Sequence, residues 1–81
     1  MTDGNDIEKA FGQAVRELRL QRKLSQEKLS ELSNLDRSYL SEIERGEKTA
    51  SIRTLSKVAR GLGISIVELC EKMEKEIKEL N

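Results

Sequence analysis

Apolar residues recur along this chain at intervals of three and four, and the alternation of a half-buried strand is nowhere sustained. Phe11, Val15 and Leu18 lie at i, i+4 and i+7, which predicts a first helix with a buried face, capped by Asn5 or Asp6 and running to about Arg22. Arg16, Arg22 and Lys23 fall off that face and are free to reach solvent or phosphate. Leu29 and Leu32 share a face behind a cap at Ser25, and Leu40 with Ile43 do the same behind Asp36. Leu55, Val58, Ala59 and Leu62 then form the buried side of a helix opened by Ser51 and closed by Gly63. Ser65 caps a fifth, along which Ile66, Leu69, Cys70, Met73, Ile77 and Leu80 form an apolar stripe. Five helices account for nearly the whole chain.

The second and third helices are short and close together, the layout of a helix-turn-helix. Between them Asn34 is one of the few non-glycine residues that accepts a left-handed backbone, and Leu35 after it can plug the turn into the core. Ser30 is small where the two helices approach, and Gly46 stands where a helix-ending glycine belongs.

On the stretch SQEKLSELSNLDRSYLSEIERG, Ser25 to Gly46, the chain resembles the phage-repressor-like family of helix-turn-helix transcription regulators. The run NLDRSYLSEIERGEK, Asn34 to Lys48, more narrowly resembles the controller proteins of restriction-modification systems. The family likeness extends over roughly Gly12 to Leu69, with Ser30 in place of the usual Ala, Asn34 of Gly, and Ala50 of a frequent Pro. The resemblance implies an all-α, five-helix DNA-binding domain occupying residues 1–81, with a core over about 8–69 and a C-terminal helix over about 66–80 for dimerisation. It also implies a homodimer that binds double-stranded DNA at a palindromic operator as a repressor or activator, with RNA polymerase as a candidate partner. The alternative is an antitoxin-type repressor that binds a toxin, disfavoured by how soon the sequence ends after the fifth helix.

Charge changes the picture by its distribution. The 81 residues carry 15 Lys and Arg against 15 Asp and Glu, yet residues 9–60 hold twelve of the bases and seven of the acids. The stretch that includes the motif is therefore basic, as a DNA-facing surface requires. With no His and one Cys, neither the usual zinc ligand sets nor a Cys/His catalytic pair can be assembled. The five glycines form no phosphate-cradling pattern, and Glu42 and Glu44 point to different faces of their helix. No enzyme activity, metal or cofactor is expected, and a reducing cytoplasm is the expected setting.

In a helix-turn-helix the first exposed residues of the second helix meet base edges. Arg37, Ser38 and Tyr39 hold those positions, with Ser41 and Glu42 one turn on. Arg suits guanine O6 and N7, Ser either a base edge or a phosphate, and Tyr a thymine methyl or a phosphate. Helix starts near Gln26 and Ser51 offer outward N–H groups to phosphates, joined by Thr49 and Arg53, and by Lys48 on the controller resemblance. The resemblance also pairs Arg19 with Glu44 across the core. The fifth helix, about 22 Å from Ile66 to Leu80, is expected to extend past the four before it and to dimerise through Ile64, Ile66, Leu69, Met73 and Ile77.

Overall fold

The computed structural model describes residues 6–80. Among them the regular elements are five helices, α1 Asp6–Gln21, α2 Gln26–Ser33, α3 Arg37–Glu44, α4 Ile52–Leu62 and α5 Ile66–Leu80. The caps are those the sequence singles out. Ser25 Oγ accepts from the Lys28 N–H at 3.0 Å, Asp36 Oδ2 from Ser38 at 3.0 Å and Tyr39 at 3.3 Å, and Ser51 Oγ from Thr54 at 3.1 Å. At α5 the exchange is reciprocal. Ser65 Oγ accepts from the Glu68 N–H at 3.0 Å while Glu68 Oε1 accepts from the Ser65 N–H at 3.2 Å, so two orphan donors are satisfied together. Asn34 ends α2 with φ 54° and ψ 47°, the left-handed conformation its side chain tolerates. Lys23 does the same after α1 with φ 56°, a position no sequence rule marks. The expected cap at Asn5 lies outside the described residues, and Asp6 is already helical.

All five helices contribute to one core, in which Phe11, Val15, Leu29, Leu40, Ile43, Val58, Ala59, Leu62 and Leu69 meet. One expected core residue is not there: Leu32 is 44% exposed, and α2 buries Leu29, Ser30 and Ser33 instead. The reason is the crossing with α4, where a Cβ on Gly61 would run into Ser33 Oγ. Small residues face each other at that point, and Leu32 is turned toward the rim.

The expected dimer stripe fails at Leu69 of α5. Its stripe packs along α1 of the same chain, leaving Leu69 fully buried and Met73 against the core, with Ile64 and Ile77 half-buried. Sixteen residues of α1 and fifteen of α5 give helices of about 24 and 22 Å, so α1 is long enough to cover its neighbour. Exposed apolar side chains remain at the start of α5, where Ile66 is 43% and Val67 66% exposed, and at Ile52 of α4, which is 83% exposed.

Candidate nucleic-acid interface

The carboxyl end of α3 is set by its crossing with α1. A Cβ on Gly12 would run into the Ile43 carbonyl oxygen and come within 2.8 Å of that of Glu44, so only glycine allows this approach. Beside the crossing, Arg19 Nε donates to Glu44 Oε2 at 2.7 Å and Arg19 Nη2 to Glu44 Oε1 at 3.0 Å. A further Arg19 N–H reaches the Leu24 carbonyl at 2.8 Å, and Gln26 Nε2 donates to Glu44 Oε1 at 3.0 Å. One carboxylate thus ties α1, α2 and α3 together, with the Arg19 and Glu44 side chains 8% and 2% exposed. Charges so withdrawn from water persist when they are paired and hydrogen-bonded, and here each of the three Arg19 nitrogens and both Glu44 oxygens has a partner.

At the opposite end, the first turn of α3 faces solvent. Arg37 and Ser38 are exposed, and with Ser41, Glu42 and Arg45 they line a shallow hollow of about 220 Å³. Arg45 is the residue that sequence reasoning passes over, because it immediately precedes the helix-ending Gly46. Its spacing of four from Ser41 and eight from Arg37 is the signal that puts it on their face. Its guanidinium donates to Ser41 Oγ at 2.6 Å and to both Glu47 oxygens at 2.9 and 3.1 Å. The hydrogen bonds to Glu47 raise the Arg45 pKa and hold the Glu47 carboxyl below its usual value.

Tyr39 departs from the expectation. Its ring packs against the core and its hydroxyl lies 3.4 Å from Thr54 Oγ1 in the first turn of α4, away from the Arg37 hollow. It begins a turn of polar groups in which Ser51 Oγ donates to Thr54 Oγ1 at 3.1 Å. The Ser51 hydroxyl proton is therefore already used, and what α4 offers outward is backbone N–H. Thr49 also differs, since its hydroxyl donates to Glu8 Oε2 at 3.0 Å and not outward. Gln26, half-buried, spends one amide N–H on Glu44. Lys48 and Arg53 are exposed as expected, Arg53 beside Lys57 and Arg60 along a groove bounded by Ile52 and Ile66. Arg22 is exposed, but its Nε donates to the Leu62 carbonyl at 2.7 Å and so caps α4.

Of the residues expected at a dimer interface, Ile66 is open to a partner, whereas Leu69 is enclosed by its own chain. Ile64, Met73 and Ile77 lie between these extremes.

Residues 15–69 match the helix-turn-helix family. The control protein C.MunI from Mycoplasma sp is 42% identical over 73 residues, which is 89% of this chain and 99% of that protein. The crystal structure of the wild-type restriction-modification controller protein C.Esp1396I superposes with a TM-score of 0.84 at 34% identity, covering 90% of this chain and 95% of that one. The C.Esp1396I tetramer in complex with its natural 35 base-pair operator superposes with a TM-score of 0.83 at 35% identity, over 89% and 95% of the two chains.

Proposed function

This chain belongs to the helix-turn-helix family, and on that premise we propose that it is a restriction-modification controller protein, a sequence-specific transcription regulator that binds a palindromic operator as a dimer. The observation that carries this reading is α3, exposed at its first turn and pinned at its last by Glu44, so that a rigid helix end is offered to a major groove. The near full-length likeness to C.MunI and the operator-bound state of C.Esp1396I support it.

Arg37 and Ser38 read base edges, with Ser41, Glu42 and Arg45 further along the same hollow. Tyr39, beside Thr54, belongs with the phosphate contacts made around the α4 start, together with Lys48, Arg53 and the free N–H groups after Ser51. At α2, Gln26 offers its backbone N–H and the remaining amide hydrogen. Thr49 joins the phosphate contacts only by releasing Glu8. The dimer face is Ile52, Ile66 and Val67, the apolar side chains left open between α4 and α5, in place of the Leu69 stripe. Contact with RNA polymerase is the further step by which such a regulator activates.

Selection of bound sites from random duplexes tests the reading. The expected outcome is a two-fold symmetric site whose half-sites lie about 34 Å apart. Enrichment of a single unrepeated half-site, or of none, overturns it.

A further inference from the structure

Arg37, Lys48 and Arg53 stand open on the face proposed to meet DNA, and among the described residues none of them has a carboxylate partner. Arg45 is different. Its Nε and Nη2 fork onto the two oxygens of Glu47, and Nη1 donates to Ser41 Oγ one turn back along α3. The bond to Ser41 draws the guanidinium away from Gly46 and toward Arg37 and Ser38, into the hollow that these residues share with Glu42. With three donors committed, one N–H on each Nη is left. The Arg45 and Glu47 side chains are 54% and 52% exposed, so water screens the pair and it adds little to the stability of the fold. Its effect falls on what Arg45 can bind.

We propose that Glu47 is a specificity-determining residue, which withholds Arg45 from DNA phosphates and leaves it for an uncharged base edge, guanine above all. The proposal rests on the DNA-binding reading above. A phosphate seeks the same planar fork that a carboxylate does, and the fork of Arg45 is occupied. To take it a phosphate must displace Glu47, which exchanges one anion for another and leaves the released carboxylate close by. The two N–H groups left on Arg45 match guanine O6 and N7, acceptors without net charge that Glu47 repels less. Random sequence is held almost entirely through phosphates, whereas an operator adds contacts to bases. Glu47 therefore weakens the first complex more than the second, and discrimination comes from the repulsive element as much as from the attractive one.

The test titrates the full chain with the selected operator and with a random-sequence duplex over a range of KCl concentrations. Glu47→Gln, which keeps an acceptor for Arg45 but no charge, should raise affinity for the random duplex about fivefold to tenfold. It should also steepen the slope of log K against log salt by about one, as one further phosphate contact does. The operator should gain less than about threefold, so the specificity ratio falls. In an Arg45→Gln background the same change should leave the slope as it was, because no guanidinium is released. Arg45→Gln alone should erase the preference at a base pair other than the one Arg37 reads, and an unchanged selection overturns the base-edge half of the proposal. Both side chains are half in water, so each variant should melt with the parent. Equal gains on both duplexes overturn the proposal, and so does a steeper slope that persists without Arg45, which would make Glu47 a general repellent of DNA. In the free chain the Arg45 Nε–H should exchange with water more slowly than that of Arg37 and lose this protection in Glu47→Gln; equal exchange means that no pair forms and overturns the proposal without DNA. A chain that selects no operator fails the earlier reading, while the random duplex and the exchange rates still decide whether Glu47 withholds Arg45.

Discussion

In the last turn of α1, Arg19 meets a carboxylate that also accepts a hydrogen bond from Gln26, whereas on the side of α1 that faces α5 a single lysine serves two glutamates. Lys72 Nζ donates to Glu17 Oε1 at 2.8 Å and stands 3.5 Å from Glu76 Oε2, which has no hydrogen-bond partner although Glu76 is 4% exposed. Glu44 is filled with donors; Glu76 is short of them. The consequence shows in titration. Hydrogen bonds from Lys72 and then Gln13 lower the Glu17 carboxyl to about 2, while burial, and after it the Glu17 carboxylate, push Glu76 upward despite the lysine. The pair beneath α3 is buried and fixes an orientation, whereas Lys72 and Glu17 beneath α5 are half-exposed and leave the buried Glu76 with an unmet demand. Burial of charge specifies a geometry when each buried carboxylate oxygen has its donor.

The largest expected effect comes from breaking the answered cluster. Arg19→Ala or Glu44→Ala leaves the other charge buried without its partner, at a cost of about 3 to 5 kcal/mol in urea unfolding. Because the two share one interaction, the double variant should lose much less than the sum of the single losses. Strictly additive losses would show that the pair fixes nothing. Next comes the outer face of α5. Ile66→Glu with Val67→Glu should give a monomer by sedimentation and weaken operator binding by about tenfold to a hundredfold, since each half-site must then bind alone. A persisting dimer would move the interface elsewhere.

With α3 held by Glu44, a lost base contact cannot be recovered by shifting the helix. Arg37→Ala should therefore cost about 1 to 3 kcal/mol on the operator and relax preference at one base pair, whereas Lys48→Ala weakens operator and random duplexes alike. Equal losses on both duplexes for Arg37→Ala would assign it to phosphate.

The smallest effect tests the unanswered cluster. Glu17, lowered in the folded chain, adds stability present above its ordinary value of 4.5 and lost as pH falls toward about 2. Glu76, raised, works with the opposite sign, its contribution being complete below 4.5 and lost as pH climbs through its folded value. The melting temperature should thus rise between pH 2 and 4.5 and slip back above it. Glu76→Gln should abolish the slip and gain a few degrees at pH 7, about 1 kcal/mol or less, with little change near pH 4. A variant less stable than the parent at pH 7 would mean that Lys72 outweighs the burial.

How much of this was legible beforehand depends on the range over which each signal acts. Ser25, Asp36, Ser51 and Ser65 cap helices because a hydroxyl or carboxylate reaches N–H groups two or three residues on, and Asn34 turns left-handed through its own backbone. Those are local rules, and they carry the order of helices, the helix-turn-helix and the exposed first turn of α3. The Arg19–Glu44 pair spans 25 positions and was reachable only through resemblance to relatives.

Where a side chain goes once two helices cross is a different matter. Periodicity groups Leu69 and Met73 on one stripe but does not say what covers it, and α1, of matched length, encloses Leu69 while Met73 stays half-buried. The hydroxyls of Tyr39 and Thr49 have polar destinations fifteen and forty-one residues away, at Thr54 and Glu8, which no spacing along the chain announces. Helix identity is determined by the sequence within a turn or two, because caps and apolar stripes act over three or four residues. The partner of each side chain is determined by crossings between segments far apart in the chain, and those exist only in the folded molecule.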